Sequence, residues 1–193
     1  MLQRQAKTLS QAQIKAMLTY LSQTKHPVRN CLIFLFSLRA GLRAKEIAHI
    51  TWAMVTDAEG EVSDCIRLTD IASKGRSGGV VPLAQDLKSA LLQHRASVQT
   101  FNPADRIIRT TRTRQVSAQV IVNAFARWYR ELGFLGCSSH SGRRTFITRA
   151  ARNIGRFGGS IRDVQALARH QSLAMTQRYI EIDANAMRKV VDA

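Results

Sequence analysis

Residues 31–38 read Cys-Leu-Ile-Phe-Leu-Phe-Ser-Leu, an almost wholly apolar run. A helix of that sequence has no polar stripe to turn toward water, so it must be surrounded by protein. His26-Pro27 supplies a start signal ahead of it and Gly41, after Ala40, a stop. The run therefore predicts a central buried helix around which the other elements pack. It falls well short of the roughly 20 apolar residues of a membrane span, and the first twenty residues lack the apolar run of a secretion signal. A chain of 193 residues is long enough to bury such a helix in one domain, and neither an internal repeat nor a flexible linker divides it.

The flanking segments carry their own signatures. Ser10 with Gln13 forms a capping box, and Ile14, Met17, Leu18 and Leu21 follow at helical spacing, predicting a helix from Gln11 to Gln23. Residues 44–50 have the spacing of a short helix with Ile47 inward, which places Arg43 in a tight corner between two helices. From Trp52 to Leu83 the pattern changes to two strand-like pieces, 65–71 and 79–83, joined by the turn-rich basic segment Ser73-Lys74-Gly75-Arg76-Ser77-Gly78. This predicts a β-hairpin with Lys74 at its tip. Helices are expected at 86–98, from Ser117 to the stop at Gly133 with Val120, Ile121, Phe125, Trp128 and Leu132 inward, and from His140 to Asn153 with Gly155 as stop. Ser160 and Asp163 cap a helix over 161–168, and a short helical stretch containing Tyr179 precedes a small tail helix over 184–191. The expected fold is mostly α with a small antiparallel β-sheet.

Charge narrows the partner. The chain has 29 Lys and Arg against 13 Asp and Glu, a formal net charge of +16, with an ordinary globular share of apolar residues. Twenty-two of the basic residues are Arg, whose planar fork matches phosphate oxygens in pairs. Between Arg106 and Arg178 there are 14 Arg, no Lys and only two acids, Glu131 and Asp163. A polyphosphate partner follows, facing mainly the second half. Cys31, Cys65 and Cys137 are odd in number and widely spaced, so they are read as buried thiols rather than disulfides or zinc ligands.

The chemistry-bearing residues occur in a fixed order: Gly41-Leu-Arg43-Ala-Lys-Glu46-Ile47, then Lys74, then His140-Ser-Gly-Arg143-Arg144-Thr145, then Leu167-Ala-Arg-His170, then Tyr179 nine residues on. In this order they resemble the tyrosine recombinases, also called the phage integrase family, and the resemblance covers nearly the whole chain. It implies the breaking-rejoining catalytic-domain fold over residues 1–193. It also implies that Arg43 and Arg143 grip the scissile phosphate, with His140 and His170 as further phosphate or proton-handling positions. Lys74 would be the hairpin lysine, Tyr179 the nucleophile, and Glu46 the acid that supports Arg43. The chemistry is coherent without the name. Charge builds on the nonbridging oxygens as a nucleophile attacks phosphorus, and two Arg with one or two His supply fixed donors for it. A phenolic oxygen can then hold the phosphate covalently while a Lys or His protonates the leaving hydroxyl. The carboxylate-poor second half offers no two-metal alternative, so neither a metal nor a cofactor is expected.

Two departures from many relatives stand out: Ser141-Gly142 replaces Asp-Leu, and Ala168-Arg169 replaces Leu-Gly before the final His. The resemblance implies double-stranded DNA as partner, a homotetramer on two DNA sites with residues 184–193 docked on a neighbour, and help from accessory DNA-bending proteins or a partner recombinase. It is to the short recombinases that lack an N-terminal DNA-clamping domain, and a cytoplasmic or nucleoid location is expected. Arg76, Arg109, Arg112, Arg114 and Arg144 are the expected DNA-backbone contacts. A type IB topoisomerase and a noncatalytic DNA-binding accessory protein derived from a recombinase are the competing readings.

Overall fold

Ser10 and Gln13 form the expected reciprocal cap and open α1 (Gln11–Ser22), whose Ile14, Met17 and Leu21 are buried. The apolar run follows as α2 (Pro27–Arg39), with every residue from Leu32 to Leu38 buried. It ends at Gly41, whose φ of 61° is the left-handed stop a glycine adopts without strain. Next come α3 (Ala44–His49), a 3₁₀ turn at Trp52–Met54, the strands β1 (Cys65–Leu68) and β2 (Gly79–Pro82), α4 (Gln85–Ala96), α5 (Ala118–Glu131), α6 (Ser141–Asn153), α7 (Ile161–Ala168) and α8 (Leu173–Gln177). The computed structural model describes residues 6–70, 78–110, 115–180 and 188. They fall into two units, residues 1–146 and 147–193, with α6 beginning in the first and ending in the second.

In the first unit α2 packs against α1 and α4, and α3 packs against α5. The core joins Phe34 and Phe36 of α2 to Met17, Leu21, Ile47, Trp52, Ile66, Val81, Leu91, Phe125 and Trp128. β1 and β2 are antiparallel, with Ile66 opposite Val81 and Leu68 opposite Gly79. The first strand stops at Leu68 rather than Ile71, because beyond it the Asp70 carboxylate accepts the Gly78 N–H in place of a ladder bond. The hairpin tip lies outside the described residues.

Other expectations need correction. Val120 is 46 % exposed, since the first turn of α5 extends past the edge of the core that Ile121, Phe125 and Trp128 fill. The three cysteines are half-buried rather than buried. In the second unit α6 does not stop at Gly155. The chain tightens into a 3₁₀ turn over Ile154–Phe157, and Gly158 makes the left-handed exit. Ser160 and Asp163 then cap α7 as expected, and Ile147, Val164 and Ala168 are buried.

The Ser141-Gly142 pair has a packing reason. A Cβ at Gly142 would sit 2.4 Å from the Ser37 hydroxyl and 2.9 Å from its Cβ, so α6 begins in direct contact with the middle of α2. Ser37 is the one polar residue of the apolar run, and its buried hydroxyl has no hydrogen-bond partner among the described residues. Gly142→Ala is expected to cost about 1–3 kcal/mol through overpacking. Ser37→Ala is expected to stabilise by up to about 1 kcal/mol, because a desolvated hydroxyl is removed. Urea denaturation of the two variants checks both signs.

Candidate active site

Two clusters of the anticipated residues form, one in each unit. In the first, Arg43 is the N-cap of α3, and its third helical residue, Glu46, turns back on it. The Glu46 carboxylate accepts the Arg43 backbone N–H at 2.7 Å through Oε2 and the guanidinium Nη1 at 2.9 Å through Oε1. Glu46 is fully buried and Arg43 only partly so, which leaves a guanidinium clamped from behind with its outer side toward solvent.

Arg143 comes from the first turn of α6 and is only 4 % exposed. Its Nη1 donates to the Gly41 carbonyl, at the corner that also delivers Arg43 two residues later. The left-handed Gly41 is obligatory there, because a Cβ would meet the Phe146 ring at 2.6 Å. The turn that opens α6 is tied by serines: Ser138 N–H donates to Ser141 Oγ at 3.0 Å, and His140 N–H donates to Ser138 Oγ at 3.3 Å.

This turn holds His140 beside both arginines. Partial burial, then the charges of Arg143 and Arg43, hold its imidazole below the ordinary value of 6.5. The folded state therefore resists protonation, and as pH falls the unfolded chain takes up the proton first. The linked stability is present above the unfolded pKa of about 6.5 and is lost as pH falls through the folded value. His140→Gln should show a flatter dependence of Tm on pH between pH 7 and 5 than the natural chain.

The second cluster is built on the end of α7 and on α8. His170 is 7 % exposed, and its ring stacks on that of Tyr179 with centroids 5.5 Å apart and planes inclined by 27°. Its Nδ1 lies 2.9 Å from Thr176 Oγ1, in a hydrogen bond that fixes the ring. Its backbone is clamped as well: His170 N–H donates to the Gln165 carbonyl at 3.1 Å, and the Gln165 amide donates to the His170 carbonyl at 3.1 Å.

Tyr179 is not inside a helix, as anticipated, but in the turn two residues beyond α8, which closes after five residues. Its N–H donates to the Thr176 carbonyl at 3.0 Å, and Thr148 Oγ1 donates to the Tyr179 carbonyl at 3.4 Å. Thr176 thus serves both partners, through its hydroxyl for His170 and its carbonyl for Tyr179. The sequence reading missed it, and also the Gly41 carbonyl and Gln165. Thr176 had one legible signal, an apolar-period position in a segment otherwise polar.

The remaining candidates are less informative. Lys74, Arg76, Arg112 and Arg114 lie outside the described residues, as does the tail 184–193 apart from Arg188. Arg109 is turned into its own loop, in an ion pair with Asp105 and with Nε donating to the Arg106 carbonyl at 3.0 Å. Arg144 is half-buried on α6 beside Arg143. Among the described residues no group of three His, Cys, Asp or Glu is placed to hold a metal ion, and no helix is long and apolar enough to cross a membrane.

Known proteins share this arrangement of elements. The tyrosine recombinase XerC of Proteus mirabilis is 27 % identical over 157 residues, which is 80 % of this chain and 48 % of that protein. XerC of Actinobacillus pleuropneumoniae is 26 % identical over 192 residues, 98 % of this chain and 59 % of that one. The chain thus spans about half the length of the curated relatives it matches. The crystal structure of XerA recombinase aligns with a TM-score of 0.71 at 23 % identity, over 95 % of this chain and 63 % of that one. The catalytic domain of bacteriophage HP1 integrase aligns with a TM-score of 0.63 at 22 % identity, over 97 % and 95 % of the two chains. These likenesses show the fold, mostly helical with a two-stranded antiparallel sheet. The family model "Phage integrase family" matches residues 7–186, almost the full length, and the chain belongs to that family.

Proposed function

We propose that this chain is the catalytic domain of a site-specific DNA recombinase that cuts and rejoins strands through Tyr179. In this reading the phenolic oxygen attacks the scissile phosphorus, the bond to the 5′ oxygen breaks, and a 3′-phosphotyrosyl linkage forms. The departing oxygen takes a proton, leaving a free 5′ hydroxyl. Arg43 and Arg143 hold the nonbridging oxygens as charge develops, His140 and His170 donate to the same phosphate, and Lys74 delivers the proton. Rejoining is the reverse, with a 5′ hydroxyl as nucleophile. The reaction is metal-independent, since fixed guanidinium and imidazole donors do the work of a metal.

The observation that carries this reading is the corner at Gly41: it binds Arg143 through its carbonyl and presents Arg43 two residues on, with Glu46 clamping the latter. Two arginines anchored this way, by a carbonyl and by a buried carboxylate, form a pre-set receptor for a phosphate. A net charge of +16 supports DNA as the partner. The arginines at 76, 109, 112, 114 and 144 contribute backbone contacts. The DNA complexes known for related folds, such as the Tn1549 transposon integrase with circular intermediate DNA, support the same partner. The active assembly is a homotetramer on two sites, with residues 184–193 passed between neighbours and accessory or partner proteins assisting, and it works in the cytoplasm.

Trapping tests the reading. The protein is incubated with nicked duplexes drawn from the DNA flanking its own gene, quenched in detergent, and any adduct is mapped by mass spectrometry. An adduct on Tyr179 is expected. DNA binding without any adduct, even after cell extract is added, would favour a noncatalytic DNA-binding role instead.

A further inference from the structure

Arg169 is the only non-glycine with positive φ among the described residues, at φ 52° and ψ 48°. It caps α7 and immediately precedes His170, and it is only 6 % exposed. Two costs coincide at this position. A left-handed backbone costs an L-residue about 1–2 kcal/mol that glycine avoids, and a buried guanidinium loses its hydration. Glycine would remove both. A residue that is unfavourable on both counts is retained for something other than stability, and strain of this kind collects where a reacting group must be held in one position.

The surroundings identify that group. The Arg169 N–H donates to the Ala166 carbonyl at 3.0 Å, and the next residue is the histidine gripped on one side by Gln165 and on the other by Thr176. On its free face that histidine carries the Tyr179 ring. A glycine could make the same turn, but it would leave the α7–α8 corner looser, and any looseness there passes directly to the stacked pair. We propose that Arg169 is a positioning residue for the tyrosine half of the reaction. Its buried guanidinium locks the corner so that His170 and Tyr179 keep one mutual arrangement.

This inference rests on the function proposed above, and the test separates the two. Arg169→Gly and Arg169→Lys are compared with the natural chain for Tm, affinity for a nicked duplex, single-turnover rate of adduct formation, and the imidazole NMR resonances of His170. For Arg169→Gly the expected result is an equal or higher Tm, an affinity within about twofold, and a cleavage rate at least about tenfold lower, with shifted or broadened His170 signals. Arg169→Lys should recover most of the rate. Cleavage by Arg169→Gly at the natural rate would overturn the proposal. So would a parallel fall of rate and Tm that lysine does not reverse, which would mean ordinary packing. Should the glycine variant fail to fold, Arg169→Asn, which tolerates the left-handed region, is read by the same criteria. If the natural chain itself forms no adduct, the recombinase reading fails. The His170 resonances then decide this inference alone, and unchanged signals in Arg169→Gly would refute it.

Discussion

Tyr179→Phe is expected to bind nicked duplexes as the natural chain does and to give no detergent-stable adduct, with strand cleavage reduced at least about 10³-fold. The structure makes this an unusually clean substitution. The ring that stacks on His170 is retained, and the contacts that place the residue run through its main chain, to the Thr176 carbonyl and from the Thr148 hydroxyl. Only the phenolic oxygen is lost, so a change in Tm of more than a degree or two would show that it has a structural role as well. A gel-shift titration beside the trapping assay gives both numbers. Recombination at the natural rate by this variant would end the assignment of Tyr179 as nucleophile.

Glu46→Ala should be the most damaging substitution for stability among the site residues. Its carboxylate caps α3 through the Arg43 N–H and balances the Arg43 guanidinium, and none of it reaches solvent. Removing one member of a buried pair typically costs about 3–5 kcal/mol; the partial exposure of Arg43 places the expected loss at the lower end, near 3 kcal/mol. Glu46→Gln should fall between, since an amide oxygen can still accept the N–H while the charge is gone. Urea midpoints of the three proteins give the order. Adduct yields, measured where all three are folded, should follow the same order, because the Arg43 fork then loses its fixed direction.

Most of the helical frame is written in short-range signals. The Ser10–Gln13 and Ser160–Asp163 boxes, the Gly41 stop and the unbroken apolar face of α2 each specify an end or a buried surface from neighbouring residues. The reading failed where two local signals compete or where the core has an edge. Gly155 and Gly158 both offer a stop, and only the tightening of α6 into a 3₁₀ turn selects the second. Val120 has the right period but lies beyond the reach of the core.

The site divides in the same way. Arg43, Glu46, His140, Arg143, His170 and Tyr179 are side chains with distinctive chemistry at distinctive spacing. What anchors them is largely main chain: the carbonyls of Gly41, Gln165 and Thr176. Every residue has a carbonyl, so sequence gives no sign of which ones are used. Ala168-Arg169 appeared in the sequence as a mere departure from a family pattern, and its meaning depends on a φ angle that spacing does not reveal.

The double attachment at Thr176 has a consequence for safety. Because one residue holds the histidine by its hydroxyl and the tyrosine by its carbonyl, drawing α8 away would disarm both at once. A subunit resting in such a withdrawn state would keep no half-competent remnant able to nick the chromosome it sits on. An enzyme whose error is a broken genome gains from a reaction centre that comes apart as a whole.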